Sequence, residues 1–130
     1  MSEFLAKSLE IAQTYWPLFM SGTRVTLILS ISGTLIGLVI GLLVGSVRAV
    51  GVVPRDSLGV RILKRTVRIV TSIYIEVFRG TPMIVQGVFL FYLLKPVFNW
   101  NAMTAGVFVI SVNTGAYMAE IIRAGIQSVD

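Results

Sequence analysis

Glu76, Arg79 and Gln86 lie in a stretch otherwise fit for hydrocarbon, Glu76 to Leu94, and Asn113, Tyr117 and Glu120 lie in a second apolar run. An ionised side chain near a bilayer centre costs about 2.5–3.5 kcal/mol on insertion scales. A helix-interior proline such as Pro82 costs about 3 kcal/mol more. A segment that served only as an anchor would not carry such groups, so the reading is a helix facing a protein-lined path or a partner subunit. The available chemistry is recognition by charge and hydrogen bond. The sequence has no cysteine and no histidine, which removes thiolate metal sites and the commonest general base. No metal, no cofactor and no catalytic residue is expected.

Composition identifies the solvent these residues must live in. Of 130 residues, 55% are hydrophobic and 13% charged, with a mean hydropathy of +0.87, against about 25% charged in a soluble domain. The expected fold class is an all-α integral membrane protein. Val25 to Val47 is uncharged and flanked by Arg24 and Arg48, long enough for one span of roughly 20 residues. Within it Gly33, Gly37, Gly41 and Gly45 recur every four residues, stacking on one face where another helix backbone can approach closely. This helix reads as scaffold.

Residues 1–24 carry balanced charge, and Leu5, Leu9, Ala12 and Trp16 fall at helical steps. They predict a short interfacial amphipathic helix, with a break near Tyr15-Trp16-Pro17. No signal peptide is expected. Arg48 to Arg68 holds six basic residues and one acid, Asp56. By the positive-inside rule this stretch, 48–65 in the main, is cytoplasmic and the N-terminus lies outside. The cluster lacks interleaved aromatics, so nucleic acid is not the expected partner.

Arg61, Lys64, Arg65, Arg68, Ser72, Glu76 and Arg79 trace one helical stripe, on a helix that starts near Leu58 and turns this face from lipid. Glu76 and Arg79, three residues apart, can pair. Pro82 removes the hydrogen bond to the Phe78 carbonyl, so a kink is expected at Gly80-Thr81-Pro82. Gln86 can bond across to another helix, and the run ends at Lys95-Pro96. A third helix starts near Ala102 and carries Asn113, Tyr117 and Glu120 on one face, with Glu120 and Arg123 as a further pair. Asn113 and Tyr117 serve either as interhelical hydrogen-bonding groups or as part of a path. Spans are expected at about 25–47, 66–94 and 102–124.

Ile75-Glu76-Val77-Phe78-Arg79-Gly80-Thr81-Pro82, followed by Gln86, resembles the motif of membrane permease subunits in ATP-driven importers (ABC importers) for polar amino acids. Ser111 to Val129 is similar to the segment leading into that family's cytoplasmic EAA loop, and Ser21 to Leu27 to its entry into the first helix. The resemblance covers about residues 18–130. It implies the N-terminal part of a permease: three helices of a five-helix transmembrane domain, truncated before the loop that docks the ATPase. It implies a multi-pass protein of the bacterial cytoplasmic membrane that forms half of a translocation path by alternating access and is not itself an enzyme. The implied partners are a second permease subunit, identical or paralogous, cytoplasmic ATP-binding subunits, and an extracytoplasmic amino acid-binding protein. Path-lining or gating candidates are Glu76, Arg79, Gln86, Asn113 and Tyr117, although Arg79 could instead pair with Glu76 to hold the kink. Two other readings stand beside this one: a small three-span oligomeric transporter or channel assembled through the glycine seam, and a non-transporting assembly subunit.

Overall fold

The computed structural model describes residues 2–51 and 55–129; residues 52–54 of the expected basic stretch lie outside the described residues. Every regular element among the described residues is an α-helix: α1 (Ser2–Thr14), α2 (Trp16–Ala49), α3 (Leu58–Gly80), α4 (Met83–Phe98) and α5 (Ala102–Gln127). Helices α2 and α5 are each long and apolar enough to cross a membrane, and α3 with α4 together are apolar enough to make a broken span or a re-entrant loop. This is an all-α integral membrane protein.

Two boundaries differ from expectation. The first spanning helix begins at Trp16 rather than Val25, because Pro17 sits in its first turn, where a proline is tolerated. Nothing between Leu18 and Arg24 then interrupts it. At 34 residues it is roughly 50 Å long, more than a hydrocarbon core of about 30 Å requires. The expected break does fall at Tyr15, between α1 and α2. The second difference is larger. In place of a kink, the chain is broken into α3 and α4, whose axes are bent by 112°. Thr81 and Pro82 are both extended, with ψ of 140° and 133°. Losing one backbone hydrogen bond only permits a kink. Two successive extended residues redirect the chain.

The glycine seam is filled by α5. A Cβ on Gly37 would lie 2.7 Å from Thr114 Cβ, and one on Gly45 would lie 2.7 Å from the carbonyl oxygen of Ala119. Gly33 faces Ile110, Gly41 faces Met118, and Gly45 also faces Ile122. Each four-residue step on α2 therefore meets a four-residue step on α5 with the same offset, so the two helices run parallel. α5 reciprocates at Gly115, where a Cβ would lie 2.7 Å from Ile40 Cγ2. Close approach of small residues is how helices associate where lipid is as apolar as the side chains. The core is correspondingly small-grained: Ala105, Ala116 and Ala119 are buried, with Val109 and Ile75. Since α2 and α5 are parallel, the chain between them must return along their length, and α3 with α4 makes that return.

Local signals fix the remaining ends. Asn99 closes α4 in a left-handed conformation, φ 45°, with its N–H donating to Lys95 O at 2.8 Å. Asn101 caps α5, its Oδ1 accepting from Thr104 N at 2.9 Å.

Candidate functional site

The broken span brings the sequence-marked residues into two groups with opposite environments. The first is exposed. Arg79, in the last turn of α3, stacks over the Tyr117 ring of α5, with its Cζ 5.2 Å from the centroid. Glu76 stands one turn back on α3, also exposed. Among the described residues Glu76 forms no ion pair, so the pairing of Glu76 with Arg79 read from their spacing is replaced by a cation–π contact between helices. A guanidinium on an aromatic face keeps its in-plane N–H donors available for a carboxylate.

The second group is buried. Pro82 has no N–H for the Phe78 carbonyl, and α3 ends at Gly80, so several α3 carbonyls lack helical donors. Side chains replace them. Thr81 Oγ1 donates to Val77 O at 2.8 Å. The two hydrogens of Gln86 Nε2 are shared among Phe78 O at 2.9 Å, Thr81 O at 2.8 Å and Thr81 Oγ1 at 2.7 Å. Asn113 Nδ2, from α5, reaches Phe78 O at 2.9 Å and Gln86 Oε1 at 3.2 Å. Gln86 and Asn113 are only 7% and 5% exposed, and their amide groups are taken up by backbone and by each other. Both had been candidates for lining a path; their hydrogen bonds run to the break.

The stripe on α3 also divides. Lys64 and Ser72 are half-buried, while Arg61, Arg65, Arg68, Glu76 and Arg79 stay exposed. The less exposed positions are instead Val67, Thr71, Tyr74, Ile75 and Phe78; of these Tyr74, Ile75 and Phe78 pack with Ala116 and Ala119 of α5, and the Tyr74 hydroxyl donates to Val112 O at 2.6 Å. A third face, including Ile62, Ile69, Val70, Ile73 and Val77, is apolar and exposed, suited to lipid.

An ionic cluster lies toward the far ends of α2 and α5. Arg48 donates to Glu120 Oε2 at 2.8 Å and to Ser72 Oγ at 3.2 Å, and Arg123 Nε donates to Glu120 Oε1 at 3.1 Å. The Glu120–Arg123 pair follows from spacing. Arg48 was legible only as the charge that ends an apolar run, and its role in joining α2, α3 and α5 has no local signal. At the opposite end an open cleft of about 550 Å³ between α4 and α5 is lined by apolar groups, among them Met83, Gly87, Val88, Phe91, Ala105 and Val109. It offers no charged group to hold a polar solute, whereas the Arg79 face does. Among the described residues no cluster of metal-ligating side chains occurs.

With this geometry in view, residues 57–130 match the family described as binding-protein-dependent transport system inner membrane component. The chain belongs to that family. It is 38% identical over 116 residues to the glutamine transport system permease protein GlnP of Escherichia coli (strain K12), covering 87% of this chain and 48% of that protein. It is 36% identical over 121 residues to the putative glutamine transport system permease protein GlnP of Rickettsia prowazekii (strain Madrid E), covering 89% and 50%. It is 35% identical over 121 residues to the L-cystine transport system permease protein TcyB of Bacillus subtilis (strain 168), covering 92% and 46%. The chain thus spans about half the length of the curated relatives it matches. No solved structure matches it.

Proposed function

We propose that this chain supplies membrane-spanning helices to the permease of an ATP-driven uptake system for polar amino acids, and that the Arg79–Tyr117 face with Glu76 lies on the translocation path. The observation that carries this reading is the pairing of Arg79 and Tyr117 from two helices on one exposed surface, beside the Glu76 carboxylate, which forms no ion pair among the described residues. A guanidinium and a carboxylate one helical turn apart suit the two charges of an amino acid zwitterion. Relatives named for glutamine and L-cystine transport support the solute class. Every amino acid presents this zwitterion, so these groups act on the solute class as a whole.

In this reading the partners are a second permease subunit, identical or paralogous, ATP-binding subunits on the cytoplasmic side, and an extracytoplasmic binding protein. The basic residues around Arg55 to Arg68 lie inside and α1 lies on the outer surface, so α2 and α5 cross outward-to-inward and α3 with α4 returns. The oligomeric-channel alternative relied on the glycine seam as an assembly face, and that seam is engaged by α5 within the chain.

The test is amino acid uptake by proteoliposomes holding the assembled permease, ATPase and binding protein, with Arg79→Gln, Glu76→Gln and Tyr117→Leu variants matched for membrane insertion. Loss of uptake with ATP hydrolysis retained is expected for Arg79→Gln. Unchanged uptake and apparent affinity in all three would place the path elsewhere.

A further inference from the structure

The buried amides of Gln86 and Asn113 make a specific demand on the break between α3 and α4. Phe78 O is the carbonyl that Pro82 deprives of its helical donor, and it accepts from both carboxamides, one on α4 and one on α5. In a dry environment an unmatched carbonyl is costly, and no water competes for it. Gln86 holds its place because the same NH₂ group also serves Thr81 O and Thr81 Oγ1, and because its own Oε1 accepts from Asn113. Each carboxamide therefore acts here mainly as a donor, with the acceptors supplied by backbone.

We infer that Gln86 and Asn113 are positioning residues: their N–H groups lock the 112° break, and through it hold the end of α3 that presents Arg79 to Tyr117. The path assigned to Arg79 rests on the function proposed above, but the lock does not, since it concerns only the relative placement of α3, α4 and α5. Donor number is the discriminating feature. A carboxylate at position 86 has nearly the shape of the amide but no hydrogen to give, and it would face the oxygens of Phe78 and Thr81. A protonated carboxyl has one.

The chain's lack of cysteine allows the break to be measured directly. Spin labels at Val70→Cys on α3 and Phe89→Cys on α4, both exposed, report the distance across it in lipid nanodiscs. The parent should give one narrow distance. Gln86→Leu should lose it at every pH. Gln86→Glu should lose it at about pH 10, with the introduced carboxyl ionised, and recover part of it at about pH 4, with that carboxyl protonated. Nearest the break along these helices, the other titratable or charged groups are Tyr74, Glu76 and Arg79 of α3, Tyr92 and Lys95 of α4, and Tyr117 and Glu120 of α5. None of these side chains hydrogen-bonds to Gln86 or Asn113, and the parent scanned over the same pH range removes their contribution. Should Gln86→Leu fail to insert, Asn113→Asp provides the same contrast from α5. A parent-like distance at high pH in Gln86→Glu or in Asn113→Asp overturns the lock. So does an identical loss in Gln86→Glu at both pH values, which would mean that position 86 tolerates only the native side chain for reasons other than its donors. Uptake does not enter this measurement, so its outcome is independent of which solute is carried.

Discussion

Replacing the seam glycines one at a time by alanine should separate helix propensity from packing between α2 and α5. At Gly22 a new Cβ meets nothing within 4 Å, so Gly22→Ala adds only the propensity gain, roughly 0.5–1 kcal/mol. At Gly45 the Cβ would lie 2.7 Å from Ala119 O, where ordinary contact begins at 3.4 Å. A backbone oxygen cannot rotate away, so the helices must part locally by about 0.7 Å, in the range where overpacking costs about 1–3 kcal/mol. Gly37→Ala has a similar obstacle, with Thr114 Cβ at 2.7 Å and Ser111 O at 3.0 Å. The propensity gain is common to all three, so subtracting the Gly22→Ala result leaves the overpacking cost alone, about 1–3 kcal/mol for each seam position. Combining Gly37→Ala with Gly45→Ala should cost less than the sum, because helices already parted at one step sit easier at the next. The assay is the fraction folded in an SDS titration of the purified chain in mild micelles. If Gly45→Ala and Gly22→Ala agree within about 0.5 kcal/mol, which is the scatter expected of independent surface changes, the parallel α2–α5 seam is wrong.

Other outcomes follow from single contacts. Arg48→Ala leaves Glu120 with Arg123 alone and Ser72 without its donor; the pair is half-buried, so a loss of about 1–2 kcal/mol is expected in the same titration, and a much smaller one from Arg123→Ala would show that Arg48 is the partner that joins helices. Asn101→Ala removes the α5 cap and should cost about 1 kcal/mol, read as earlier thermal loss of helicity, with Asn101→Asp near neutral. Tyr117→Phe keeps the ring under Arg79 and should retain most uptake, while Tyr117→Leu should lower it several-fold; equal effects of the two would assign the role to the hydroxyl. For orientation, a cysteine at Arg65 should react with impermeant thiol reagents only from the cytoplasmic side, and one at Ser8 only from outside; the reverse pattern inverts the topology.

The sequence carried the parts of this fold that are written within one helix. Leu58 and Ala102 open α3 and α5 where pattern and capping place them, and the run Gly33, Gly37, Gly41, Gly45 announces a close approach. What it could not carry is the identity of the partner across a gap. The seam glycines say that a backbone comes near, and only the three-dimensional arrangement says that it is α5 and parallel. Glu76 and Arg79 illustrate the same limit from the other side. Their spacing allows a pair, but an exposed ion pair is worth little, and Tyr117 of another helix offers the arginine a competing contact.

The break at Pro82 marks how much further a sequence argument could have gone. A proline within an apolar run leaves a particular carbonyl, that of Phe78, without its donor, and hydrocarbon supplies none. That carbonyl therefore requires a side-chain donor drawn from the few available in the two apolar helices. Gln86, one turn beyond the proline, can reach back from α4, and Asn113 is the carboxamide embedded in the apolar run of α5. Matching orphaned acceptors to intramembrane donors would have placed both amides at the break, apart from Arg79, Glu76 and Tyr117. Spacing alone put all five in one set. Hydrogen-bond accounting separates the two amides, whose N–H groups are engaged at the break, from the cation–π pair of Arg79 and Tyr117.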